Sequence, residues 1–139
     1  MSQENVEIVR RGHEAFKEAG EEAIFEYLDP HIDLTPIAEL LDSGTLHGHE
    51  GFRRWFTEMR DAFGEFGWEP LEFEDLGDHV LVATRFFAAG RGSGVPVEVM
   101  VYNVWTVRLG KAVRVSGYLD RSQALEAVGL SKQDAHADS

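Results

Sequence analysis

Two side chains in this sequence could manage a proton. His13 falls on the apolar stripe of a helix, and Tyr102 falls inside an apolar strand. An imidazole in such a setting can act as an acid or a base, because its ordinary pKa lies close to neutrality. A phenol hydroxyl can donate to an oxygen that gains negative charge during a reaction. If the protein is an enzyme, these are its expected catalytic residues. Residue type alone leaves a second role open for His13, that of a buried histidine satisfied by a backbone carbonyl.

Other clusters carry less chemistry than their composition suggests. His47, His49 and Glu50 flank Gly48 at a helix start, where polar residues are expected. Metal ligands must converge from fixed geometry, so no metal is expected there. The Gly90–Gly94 run leads into a strand, whereas phosphate-cradling loops lead into a helix N-terminus. It reads as a hairpin turn. Thr84, Arg85 and Glu98 are polar groups within apolar strands. Strand alternation sends Thr84 and Arg85 to opposite faces, and an arginine partnered by Glu98 reads as structural. Gly-x-Ser-x-Gly, His-Glu-x-x-His and Walker motifs are absent, and no cofactor is expected.

The elements that must position these groups follow from periodicity. Ser2 can cap a helix running to Ala19, whose Val6, Val9, His13 and Phe16 form one buried stripe. Glu21–Leu28 reads as a short helix stopped by Asp29-Pro30, and His31–Thr35 as a short strand. Residues 36–46 read as irregular. Glu50–Phe63 is a helix with Phe52, Trp55, Phe56, Met59 and Phe63 on its apolar side. Four strands then form a meander: Trp68–Leu76, His79–Ala89, Val95–Arg108 and Ala112–Leu119. Asp120 opens a closing helix, Ser122–Val128, and Ser131–Ser139 is a polar tail. Helices segregated against a largely antiparallel sheet make an α+β domain over residues 1–130, with 131–139 as tail.

Both alternating sets of Val95–Arg108 are apolar. A monomeric two-layer domain buries only one face of its sheet, so the second face predicts a homodimer. Val99, Val101, Asn103 and Trp105 are the expected interface set, with Met100 and Tyr102 on the pocket side. The chain has a formal net charge of −12 and no cysteine. Such a charge repels phosphate backbones and anionic lipid, so neither nucleic acid nor membrane is an expected partner. The absence of thiols, of a signal-like N-terminus and of a long apolar run fits a cytoplasmic protein.

Tyr27-Leu28-Asp29-Pro30 before the first strand, Gly48-His49-Glu50-Gly51 at the middle helix and the ending Tyr118-Leu119-Asp120-Arg121 with its Ala-Leu-Glu-Ala-Val-Gly-Leu helix occur in a specific order. In that order the chain resembles the SnoaL-like branch of the nuclear transport factor 2-like superfamily. The resemblance implies a cone-shaped curved sheet around the first helix, enclosing a pocket, and a dimer through the outer sheet face. It also implies where chemistry would sit. Steroid isomerases of this fold use an aspartate near the end of the first strand, a tyrosine on helix 1 and a neutral aspartic acid on a central strand. Those places align with Leu34 or Thr35, with His13 and with Met100. Epoxide hydrolases and polyketide cyclases of the fold use an aspartate on the last strand, where Gly117 stands here, and the hydrolases a second one near Phe86.

The family's pocket carboxylates are thus missing from the aligned positions. The expected function is binding of a small apolar molecule in a pocket lined by Phe16, Trp55, Met59, Thr84, Phe86, Met100 and Gly117. It is either cyclase- or isomerase-like proton transfer or non-catalytic carriage or sensing. A pocket filled by side chains would instead mean a structural dimerisation module. The missing side chain of Gly117 is expected to enlarge the pocket floor.

Overall fold

The computed structural model describes residues 2–39, 44–89 and 95–129. The Ser2 side chain expected to cap the first helix, the Gly90–Gly94 turn and the polar tail lie outside what it describes. The elements are α1 (Ser2–Ala19), a 3-10 helix (Glu21–Tyr27), β1 (Leu28–Thr35), β2 (Leu46–His47), α2 (Gly48–Phe63), β3 (Phe66–Leu76), β4 (His79–Ala88), β5 (Val97–Arg108), β6 (Lys111–Tyr118) and α3 (Arg121–Ala127). The strands form one six-stranded sheet in the order β2-β1-β6-β5-β4-β3. The β3–β6 meander is antiparallel, and β1 joins β6 in parallel. The mixed α+β architecture expected from the sequence is therefore present.

The apolar stripes decide how the helices lie. Val9 on α1 is buried and packs with Val80, Val82 and Val107 of the sheet. Phe52 and Phe56 of α2 join Ile24, Leu28, Ile32, Leu34 and Val115. Met59 completes a third cluster with Phe86 and Val101. Both helices thus lie on the concave side of the sheet.

Two departures from the expected elements have local causes. The segment before β1 is a 3-10 helix, and β1 begins at Leu28 and runs through Asp29-Pro30. The β1–β6 register shifts between Leu28 and Asp33. The ladder is already broken where Pro30 lacks its N–H, so the proline is tolerated. The two-residue β2, within the stretch expected to be irregular, pairs with Asp33 and Leu34. It brings α2 close behind it. Gly48 adopts φ +70, and a Cβ there would lie 2.9 Å from the Pro30 carbonyl oxygen. A Cβ on Gly51 would lie 3.0 Å from Leu46. The Gly-His-Glu-Gly motif is thus a steric requirement for seating α2 on β1 and β2.

The two faces of β5 are the reverse of the expected assignment. Val99 and Val101 pack with Phe86 and Met59 on the concave side, and Trp105 with the α1 stripe there. Tyr102 and Val104 face the other way, beside Leu81, Ala124 and Leu125. Val99, Val101, Asn103 and Trp105 are therefore not on the outer face. Alternation separates two sets of side chains but does not say which set is inside. Part of the second apolar face is covered by the chain's own α3. Asp120 caps that helix, accepting from the Ser122 N–H at 2.6 Å, and Arg121 ties it to Glu74 of β3 at 2.5 Å. Arg85 also lies outside, held by Glu69 at 2.9 Å and Glu98 at 3.3 Å. That is the structural role expected of it.

Candidate functional site

A cavity of about 120 Å³ lies between α1, α2 and the concave face of the sheet. That is close to the roughly 150 Å³ of an engineered apolar cavity that admits benzene. Helix α1 contributes Val9, Gly12, His13 and Phe16, and α2 contributes Phe52, Trp55, Phe56 and Met59. The sheet supplies Leu34, Trp68, Phe86, Val101, Asn103, Trp105, Val115 and Gly117, and Pro36 and Ile37, which follow β1, complete the lining. All three tryptophans of the chain line this space. Among the described residues no aspartate or glutamate does.

His13 occupies the place one turn after Val9 on α1. Its Nδ1 lies 2.9 Å from the Val9 carbonyl oxygen. A carbonyl only accepts, so Nδ1 carries the proton and Nε2 keeps its lone pair. Burial lowers the His13 pKa below its ordinary value, and the bond to Val9 opposes this in part. The ring is therefore neutral at pH 7. Phe73 and Trp105 meet it edge-on, at centroid distances of 5.7 and 5.8 Å. The two roles left open by the sequence are compatible: one nitrogen satisfies the backbone, and the other remains an acceptor.

Among the described residues, hydrogen-bond donors in the same wall lack partners: the indole N–H groups of Trp55 and Trp105 are buried without an acceptor. Asn103 makes no side-chain hydrogen bond among the described residues, although amides in such settings normally do. Tyr27 and Thr35 also reach the lining, the Thr35 hydroxyl sharing a 3.0 Å bond with Thr45. The walls thus include a neutral acceptor at His13 and a neutral amide at Asn103 in apolar surroundings.

Of the residues expected at the pocket, His13, Phe16, Trp55, Met59, Phe86 and Gly117 line the cavity. Thr84, Met100 and Tyr102 do not. Thr84 is on the concave side but wholly enclosed, its hydroxyl turned to the Val82 carbonyl oxygen at 3.4 Å. Met100 and Tyr102 belong to the outer set of β5, and the Tyr102 ring packs near α3. Tyr102 is therefore not placed to donate to a ligand in the cavity. Asn103, Trp105, Trp68 and Tyr27 were not among the expected lining residues. Asn103 carried a usable signal: it is the one polar member of an otherwise apolar alternate set, Val99, Val101, Trp105 and Val107.

Gly117 does not enlarge the cavity floor as expected. A Cβ built on it would lie 2.7 Å from Ile37 Cγ1 and 3.2 Å from Asn103 Oδ1. The side chain of Ile37 occupies the space that a residue at 117 would take. The His47, His49 and Glu50 side chains go separate ways. His47 bonds Asp33, His49 Nε2 lies 3.0 Å from the Leu28 carbonyl oxygen with its ring stacked on Phe25, and Glu50 pairs with Arg53 at 2.5 Å. Among the described residues no group of three possible ligands could hold a metal ion. No helix among them is long and apolar enough to cross a membrane.

The same fold occurs in solved structures. A nuclear transport factor 2-like protein from Burkholderia thailandensis superposes with a TM-score of 0.76 at 23% identity, covering 88% of this chain and 95% of its own. TerC, crystallised with polyporic acid, gives 0.74 at 22% identity, covering 91% and 98%. A protein from Jannaschia sp. CCS1, proposed to be a SnoaL-like polyketide cyclase, gives 0.71 at 20% identity, covering 92% and 90%. At these identities the likeness concerns the fold. No curated protein sequence matches the chain. The sequence model of the SnoaL-like domain matches residues 9–115, most of the chain. The chain therefore belongs to the SnoaL-like domain family, with a nuclear transport factor 2-like fold.

Proposed function

We propose that this protein binds a small, neutral, ring-sized organic molecule in the cavity and moves a proton on it. His13 Nε2 takes the proton, and Asn103 donates to the oxygen on which negative charge develops. The observation that carries this reading is the Nδ1 bond from His13 to Val9, which leaves a neutral imidazole with a free lone pair in apolar walls. A charged ligand would lose its hydration without gaining a counter-ion there. Proton abstraction beside a carbonyl, as in isomerisation or cyclisation, is the reaction class such a site supports. TerC, crystallised with polyporic acid, is a relative of similar fold holding an organic molecule. The expected assembly is a homodimer through the outer face of β4 and β5 beyond α3, working in the cytoplasm without nucleic acid or membrane partners.

A second reading is favoured by one feature, the absence of carboxylates from the lining among the described residues. The protein would then be a carrier or sensor that holds the same kind of molecule without transforming it. Cyclohexenone, a neutral one-ring enone, separates the two. Tryptophan emission should change on titration if the ring enters. Deuterium incorporation next to its carbonyl in D₂O, lost in His13→Gln, marks the enzyme. Binding without exchange marks the carrier, and unchanged emission with no binding by calorimetry removes both.

A further inference from the structure

Ile37 is buried although it follows β1 on an irregular stretch, and it reaches across to β6. Its Cγ1 and Cδ1 would lie 2.7 and 3.3 Å from a Cβ at position 117. It also lines the cavity, next to Pro36 and in the same packed cluster as Met59, Phe86 and Val101. Across the strand pair from Gly117 stands Asn103. The isoleucine therefore ends the cavity at the same wall that holds the unpaired amide.

We propose that Ile37 is a specificity-determining residue: inserted into the hollow over Gly117, it sets the inner length of the cavity and limits it to single-ring ligands. The inference rests on the cavity being a ligand site, as argued above. Its physical basis is that packed interiors tolerate no overlap, so a second fused ring must displace the Ile37 side chain or stay out. Gly117 is the complementary half of the device. Any side chain at 117 would drive Ile37 off its seat, whereas the bare backbone lets it lie flat against the strand.

The prediction concerns relative affinity. In a hydrophobic pocket one methylene of mismatch changes affinity by roughly tenfold to two-hundredfold. Shortening Ile37 should therefore favour a two-ring ligand over a one-ring ligand by about tenfold or more. Cyclohexenone and a fused two-ring enone of the octalone type are suitable probes, titrated against tryptophan emission and checked by calorimetry. Ile37→Ala removes most of the plug, and Ile37→Val removes one methyl and serves if the alanine variant does not fold. The ratio of two-ring to one-ring affinity should rise in the order wild type, Ile37→Val, Ile37→Ala. An unchanged ratio in a folded variant that still binds cyclohexenone overturns the role of Ile37. Failure of the wild type to bind either probe, with a shortened variant also failing, overturns the ligand site itself and the inference with it.

Discussion

His13 Nδ1 lies 2.9 Å from the carbonyl oxygen of Val9, one turn earlier on the same helix. This contact fixes the tautomer, because only an N–H can meet a carbonyl. Burial, with Phe73 and Trp105 packed edge-on against the ring, then keeps it uncharged. A neutral base, rather than an imidazolium, is what proton abstraction from a neutral molecule requires.

The lowered pKa of His13 has a consequence for stability. Its unfolded value is about 6.5, and its folded value is lower. Between the two the unfolded chain binds more protons, so stability rises with pH. The His13 contribution is complete above pH about 6.5 and is lost as pH falls below it, by up to about 1.4 kcal/mol per pH unit, until the folded pKa is reached. His79, lowered by burial and by the nearby Arg114 and Arg108 against the opposing effect of Asp78, adds a second loss of the same sign. Urea unfolding of wild type and His13→Gln from pH 7.5 to 5 should show a shallower pH dependence in the variant. Parallel curves would mean that His13 is not buried neutral.

Asn103 should matter more to turnover than to binding. A neutral hydrogen bond contributes about 1 kcal/mol, so Asn103→Leu should weaken cyclohexenone binding roughly fivefold. A donor to developing negative charge is worth more, and the exchange rate should fall by about a hundredfold. Equal losses in affinity and rate, measured by calorimetry and deuterium exchange, would assign Asn103 to binding alone.

Gly117→Ala should destabilise the fold although alanine usually suits a strand better than glycine. The new methyl meets Ile37 Cγ1 at 2.7 Å, and overpacking of this kind costs about 1–3 kcal/mol. In an Ile37→Ala background, which lacks Cγ1, the cost should shrink by a measurable coupling energy. Additive effects in a denaturation cycle would place the two side chains apart.

The outer face offers an assembly test. Met100 lies on the exposed side of β5, opposite Arg85 in the register with β4. Met100→Glu should give a folded monomer in sedimentation, against a dimer for wild type. A monomeric wild type at micromolar concentration removes the dimer.

Much of the fold was legible in the residues. The stripe Val6, Val9, His13, Phe16 gave α1 and its buried side, and the four apolar runs between Trp68 and Leu119 gave the β3–β6 meander. The parallel joining of β1 to β6 was not legible, since pairing between distant segments leaves no local pattern. The site was legible where a helix carried it. On α1 and α2 the stripe itself says which side is inside, so His13, Phe16, Trp55 and Met59 were placed on the cavity. On β5 both alternating sets are apolar, because the cavity takes one and α3 helps cover the other. Only the lone polar Asn103 labels one of them, so alternation alone points to Tyr102 where the structure has Asn103. Ile37 was invisible for a different reason: its role depends on a glycine eighty residues away in sequence.

The account turns on His13 as a neutral base beside a bound ring, and nitrogen NMR of its imidazole reports on this most directly. In protein labelled with ¹⁵N-histidine, Nδ1 of His13 should be protonated and Nε2 bare at pH 7, and cyclohexenone should shift the Nε2 resonance as it fills the cavity. An imidazolium or the opposite tautomer at pH 7, or an Nε2 resonance that saturating cyclohexenone leaves unmoved, would contradict it.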